Sequence, residues 1–261
     1  MGDGGHSSAY LAAMARVLVP LPDTDFDPTE TAVPWRLLRE AGHEVEFATE
    51  AGRVPRCDPL LLTGVMFGKL GADPPAISDY RAMQASAEFV APLRWIDIVP
   101  SRYDALLLPG GHAPGMKQYL GSALLQGLIV EFASLRRPIA AICHGVLLLA
   151  RARDPSTGLS VLHGRRSTCL PKYMEKLAYG LSFWKLGRYY RTYDAYVEEE
   201  VRESLARASD FVRGPLTLGR RGSEHDDGGA FACEDGNYIS ARWPGDAYLF
   251  GRKLVARLPP A

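Results

Sequence analysis

The stretch "PIAAICHGVLLLA", Pro138–Ala150, decides how the rest of the chain is read. An apolar run leads into one cysteine, a histidine and a glycine, and a second apolar run follows at once. This is the pattern of a buried strand that turns sharply into a buried helix. Such a strand delivers Cys143 to the C-terminal edge of a parallel sheet, where open α/β folds bind their ligands. The sharp turn strains the backbone and presents the side chain, the logic of a nucleophile elbow. A helix N-terminus and an adjacent His144 both predict a depressed thiol pKa. His144 also offers a proton shuttle, and Gly145 lets helix and strand approach closely.

Working outward, "YDALLLPGG" reads as a second buried strand, ended by Pro109 and two glycines. The uncovered amide of Gly111 and the amide of His144 are the expected oxyanion hole. "RVLVPL" (Arg16–Leu21) is a third buried run. After it come a helical pattern closed by Gly42 and an alternating strand from Val45 to Ala48. "SALLQGLIVEFASLRR" is the helix that leads into "PIAAIC". This alternation predicts an α/β fold, a doubly wound, mainly parallel sheet sandwiched by helices, with right-handed crossovers. Near the end, "AFACEDGNYISAR" reads as a hairpin turning at Asp235-Gly236-Asn237, and "DAYLFGRKLVAR" as a closing amphipathic helix.

Two regions break the rhythm. Residues 55–100 are rich in Pro and Gly and too long for an ordinary connection. Residues 171–196 carry eight aromatic rings, from Tyr173 to Tyr196. These rings predict either an exterior helix pair packed on the sheet or a lid over the site. On the lid reading, Trp184 and Tyr193 wall a substrate pocket, with His112, which follows the two glycines, as a polar pocket group. Both regions read as insertions within a single domain spanning 1–261.

Composition narrows the function. The 30 basic and 30 acidic residues cancel, so the chain offers no electrostatic footprint for nucleic acid or an anionic membrane. No apolar run approaches the roughly 18 residues of a membrane span. "MGDGGHSSAYLA" lacks the features of a signal peptide. The four cysteines, at 57, 143, 169 and 233, show no metal-site spacing and read as free thiols in a reducing cytoplasm. No metal and no cofactor are expected.

The pair "LLLPGGHAP…AAICHGVLLLA" resembles the PfpI/ThiJ superfamily, whose members share the flavodoxin-like fold of the class I glutamine amidotransferases. The likeness runs from about Arg16 to Leu258. The larger chain and the His after "PGG" are most similar to the branch of heat-shock chaperones and glutathione-independent glyoxalases. The resemblance implies that an acid from the first βα unit meets the cysteine, and the matching residue is Glu30, in "DPTETAVPW". Its position also suits a first-turn carboxylate that complements the helix dipole. The resemblance implies a twofold homodimer as well. The branch often completes a Cys-His-acid triad, but that position falls near Lys172, with Glu175 or Asp194 as substitutes. A glutaminase is disfavoured, because His225 is followed by Asp226 and Asp227 rather than His-x-Glu. Three classes remain. One is a glyoxalase III-like enzyme turning a 2-oxoaldehyde into a 2-hydroxy acid through Cys143, His144 and Glu30. A second is a cysteine hydrolase or hydratase on an amide, ester or isonitrile. The third is a redox sensor or holding chaperone without turnover.

Overall fold

Burial on both faces explains why the central strands are apolar without alternation. The computed structural model describes residues 14–65, 70–217 and 219–260. Its strands are β1 (Arg16–Pro20), β2 (Thr24–Phe26), β3 (Glu44–Thr49), β4 (Arg56–Cys57), β5 (Leu93–Arg94), β6 (Ala105–Leu108), β7 (Ile139–Ile142), β8 (Ala232–Asp235) and β9 (Tyr238–Ala241). The helices are α1 (Pro28–Glu40), α2 (Pro59–Thr63), α3 (Pro74–Gln84), α4 (Ala87–Val90), α5 (Met116–Leu120), α6 (Ala123–Ser134), α7 (Val146–Arg151), α8 (Lys172–Leu186), α9 (Val197–Ser204) and α10 (Ala247–Val255). Seven strands form one sheet in the order β5-β3-β1-β6-β7-β9-β8. Every neighbouring pair is parallel except the β8–β9 hairpin, where Asp235 faces Tyr238 across the turn.

The strand order reverses beside β1. The chain steps from β1 to β3 and β5, then returns to β6 on the other side. The C-terminal ends of β1, β6 and β7 therefore face one crevice, the position where this topology binds ligands. Helices α1, α3 and α10 pack together, as do α6, α7 and α9. Residues 55–100 prove to be more than a loop: β5 extends the sheet beside β3, and α3 packs on α1. Among the described residues no helix is long and apolar enough to cross a membrane.

Two local devices shape the crevice. Helix α1 starts at Asp27, whose Oδ1 accepts from the amides of Thr29 (2.8 Å) and Glu30 (3.1 Å), with Pro28 at the first helical position. At the end of β7, Cys143 has φ 57°, in the left-handed region that disfavours a side chain by about 1–2 kcal/mol. A single 3-10 turn, Cys143–Gly145, then feeds α7. A Cβ on Gly145 would collide with the carbonyl oxygens of Leu108 and Pro109, at the end of β6. The close approach inferred from the sequence is present, and it ties the elbow to the neighbouring strand.

Gly145→Ala is expected to lower stability by roughly 1–3 kcal/mol or more, as overpacking against rigid backbone does. Chemical denaturation measures it. An unchanged midpoint would show that the elbow does not depend on this contact.

Candidate active site

Three connections converge on the crevice. Glu30 comes from the first turn of α1, Gly110 to His112 from the end of β6, and Cys143 and His144 from the end of β7. Glu30 is fully buried, and its Oε2 accepts from the amide of Gly110 at 2.9 Å. Its Oε1 is buried without a well-directed partner, within the influence of the Cys143 thiol. A Cβ on Gly110 would stand 2.8 Å from Glu30 Oε2 and 2.7 Å from the amide of His144, so only glycine fits. Cys143 Sγ lies 3.5 Å from His144 Nδ1, and the amide of His144 is directed at the sulfur. The His112 ring packs edge-on against His144, with centroids 4.6 Å apart.

The charges differ from the sequence expectation. Burial, and then the charges of Glu30 and Asp27, push the Cys143 thiol well above its ordinary range. Burial and Asp27 likewise raise the Glu30 carboxyl, while the Gly110 amide opposes them. The helix N-terminus was expected to depress the thiol, yet burial, joined by two carboxyls, outweighs it. Nor does His144 contribute positive charge. Burial, His112, Arg151 and Arg191 hold its imidazole well below the usual range, so it is neutral. His112 is pulled down to about 4 by burial. The arrangement is an acid and a thiol that cannot both ionise in a dry site, so their protons leave in two separated steps.

The expected substitutes for a triad acid are occupied elsewhere. Glu175 accepts from Arg191 Nη1 (2.9 Å) and the Val197 amide (3.1 Å). Asp194 has a 93% exposed side chain and pairs with Arg188, and Lys172 pairs with Glu199. Trp184 and Tyr193 are also placed otherwise than expected. Trp184 is 61% exposed on α8, and its indole donates to the Leu181 carbonyl. Tyr193 packs on the core with the Arg151 guanidinium 4.3 Å from its ring centroid. Neither lines the crevice, because α8 turns Trp184 outward and Arg151 draws Tyr193 away. From the same region Tyr190 packs against the His112 ring (5.9 Å), and Thr192 donates to the His112 carbonyl.

Beside the elbow opens a cavity of about 200 Å³ with predominantly apolar walls. Asp27, Thr29, His112 and Tyr190 line it together with Leu61, Leu170 and residues of α8; Glu30, Cys143 and His144 lie behind this wall rather than on it. Sequence reading missed Asp27, Thr29, Arg221 and Trp243 here. The signal for Asp27 was present in "DPTE", an Asp before Pro with Glu three residues on, a helix-start signature. Arg221 and Trp243 carried no signal, since only the fold brings them to this wall. His112, Cys143 and His144 offer three ligand atoms within 4.8 Å of one another. This His₂Cys set suits a soft divalent ion.

Comparison with known proteins agrees with the fold. The family model described as ThiJ/PfpI family-like matches residues 21–215. A deglycase of Pyrococcus abyssi is 26% identical, over 93% of this chain and 99% of its own length. An uncharacterized protein of Schizosaccharomyces pombe is 27% identical, over 92% of this chain and 82% of its own. The structure of glyoxalase III from Candida albicans superposes with a TM-score of 0.63 at 18% identity, covering 94% of this chain and 98% of that one. At that identity the likeness concerns the fold alone.

Alkylation of Cys143, followed by peptide mass spectrometry across pH, is expected to accelerate only above the ordinary thiol range. Glu30→Gln removes a negative charge that raises the thiol, so its profile moves to lower pH. An unmoved profile would mean that Glu30 is uncharged when the thiol ionises.

Proposed function

This chain belongs to the ThiJ/PfpI family, and from that premise we propose that it is a cofactor-independent cysteine enzyme converting a 2-oxoaldehyde into the 2-hydroxy acid. The observation that carries the reading is the buried Glu30–Cys143 pair, whose chain neighbours Asp27, Thr29 and His112 line an apolar cavity. A carboxyl raised above its usual range is a stronger base than an ordinary carboxylate, suited to taking and returning a proton. The name of one relative, a deglycase, supports an enzymatic role for this site.

In this reading the sulfur of Cys143 adds to the aldehyde carbon while Glu30 takes the thiol proton. The developing oxyanion meets the amides of Gly111 and His144, and Glu30 returns the proton to give a hemithioacetal. The hydrogen on that carbon then leaves as a proton to Glu30, and its electron pair forms an enediolate with the adjacent carbonyl. The hydroxyl proton beside the sulfur passes to the neighbouring oxygen, and Glu30 delivers its proton to the neighbouring carbon, giving the thioester of the 2-hydroxy acid. Water hydrolyses the thioester, releasing the acid and restoring the thiol. One carbon is oxidised as its neighbour is reduced, so no external electron carrier enters. Neutral His144 assists by its hydrogen bond to the sulfur.

A hydrolase driven by an imidazole base fits less well. His144 has no acid to orient it among the described residues, and its basicity is suppressed by burial. The four cysteines are buried and free, which suits a reducing compartment, the cytosol. The proposal includes a twofold homodimer, the commonest closed assembly.

Phenylglyoxal is expected to be turned over by wild type and not by Cys143→Ala, while amides and isonitriles are left intact. Glu30→Gln is expected to reduce turnover about 10²–10⁴-fold with the melting temperature kept. Full activity in either variant would refute the mechanism.

A further inference from the structure

The cavity is unevenly furnished. Four side chains on its lining each hold a buried polar atom without a hydrogen-bond partner among the described residues: Thr29 Oγ1, His112 Nε2, Arg221 Nη1 and Trp243 Nε1. Buried polar atoms of this kind are rare in folded proteins and need an explanation. Arg221 Nη1 and Trp243 Nε1 are obligate donors, and Thr29 Oγ1 can donate as well.

The two larger donors are held in place. The Arg221 guanidinium lies over the Trp243 ring, 5.3 Å from its centroid, and Nη2 donates to the Gly71 carbonyl at 2.9 Å. That leaves Nη1 buried and without a partner on a residue that lines the cavity. The turn carrying Trp243 is anchored by the wholly buried pair Arg242–Asp246, joined at 2.8 Å and 2.9 Å. Asp27, the carboxylate that senses the charge of Arg221, already accepts through Oδ1 from two amides of α1. This polar group lies on the wall that Asp27 and Thr29 also line.

Another part of the cavity is apolar. Met174, Leu177 and Leu181 of α8 line it together with Leu61 and Leu170. Leu177 and Leu181 are 60% and 45% exposed, so they form an apolar rim that an extended ligand would cover.

We propose that the cavity selects an oxygen-rich, anion-capable head on an apolar tail, with Arg221 and Trp243 holding the head. The ligand is a 2-oxoaldehyde with a bulky apolar substituent, released as its 2-hydroxy carboxylate, rather than a three-carbon compound. This inference rests on the proposed reaction for the identity of the head group, but the binding site itself is tested without turnover. Arg221 acts here as a specificity-determining residue, and the two unpaired donors are the complement of a carboxylate.

The test uses full-length Cys143→Ala protein, ¹⁵N-labelled at tryptophan, titrated with three probes: 2-hydroxyhexanoate, lactate and 1,2-hexanediol. Lactate keeps the head and loses the tail, and the diol keeps the tail and loses the charge. The Trp243 indole N–H resonance, assigned with Trp243→Phe, is expected to move on binding 2-hydroxyhexanoate. Burial of a methylene favours binding by about fourfold, so lactate is expected to bind roughly fiftyfold more weakly. Arg221→Met is expected to weaken 2-hydroxyhexanoate by about ten- to a hundredfold and to leave the diol unchanged. Arg221→Lys should recover part of the loss. Equal affinity for the acid and the diol in the unsubstituted Arg221 background, which needs no further variant to fold, would overturn the proposal. So would equal binding of lactate and 2-hydroxyhexanoate. If the acid binds as expected while wild type fails to turn over any 2-oxoaldehyde, the ligand site stands and the reaction falls.

Discussion

Glu30 and Cys143 share a site too dry for both to carry charge, and much of the local architecture serves that constraint. Burial raises both groups; Glu30 raises the thiol further, while the thiol's hydrogen bond to the carboxylate lowers Glu30 and Asp27 raises it. The positive φ at Cys143 is tolerated because the elbow is clamped, by Gly145 against the end of β6 and by Gly110 against Glu30 and the His144 amide. Asp27 caps α1 and so fixes the direction of Glu30, while its own carboxyl is pushed up to about 6 by burial. One small cluster thus links helix capping, sheet topology and proton placement.

Much of this was legible in the residues. "AAICHG" announces a strand, a strained turn and a helix, and "LLLPGG" announces the neighbouring strand end. Local pattern sufficed because each depends on a few consecutive residues. The hairpin at Gly236 and the closing helix α10 were legible for the same reason. Glu30 was reached through family likeness, and its place in the first turn of α1 agrees with it.

The charge state of His144 was not legible, because it is set by Arg151, Arg191 and His112, which only the fold brings near. The thiol was misjudged for a related reason. A helix N-terminus is a local feature, whereas the burial of the sulfur and the opposing carboxyls are set by elements distant in sequence. The aromatic segment shows the limit of composition: its rings look alike in sequence, yet Tyr190 faces the cavity, Trp184 faces solvent and Tyr193 packs under Arg151. Helical phase and one guanidinium decide which ring serves the site.

The central claim, that Glu30 loses its proton before the thiol does and so stands ready as its base, can be observed directly. Infrared spectroscopy of protein carrying ¹³C-labelled glutamate, compared with Glu30→Gln, isolates the protonated-carboxyl band of Glu30. Ultraviolet absorbance reports the Cys143 thiolate in the same pH titration. The account predicts that the carboxyl band persists above the ordinary carboxylate range and disappears in a step separate from, and below, the growth of thiolate absorbance. A Glu30 band already gone within the ordinary range, or thiolate growing to completion below neutrality, would contradict it.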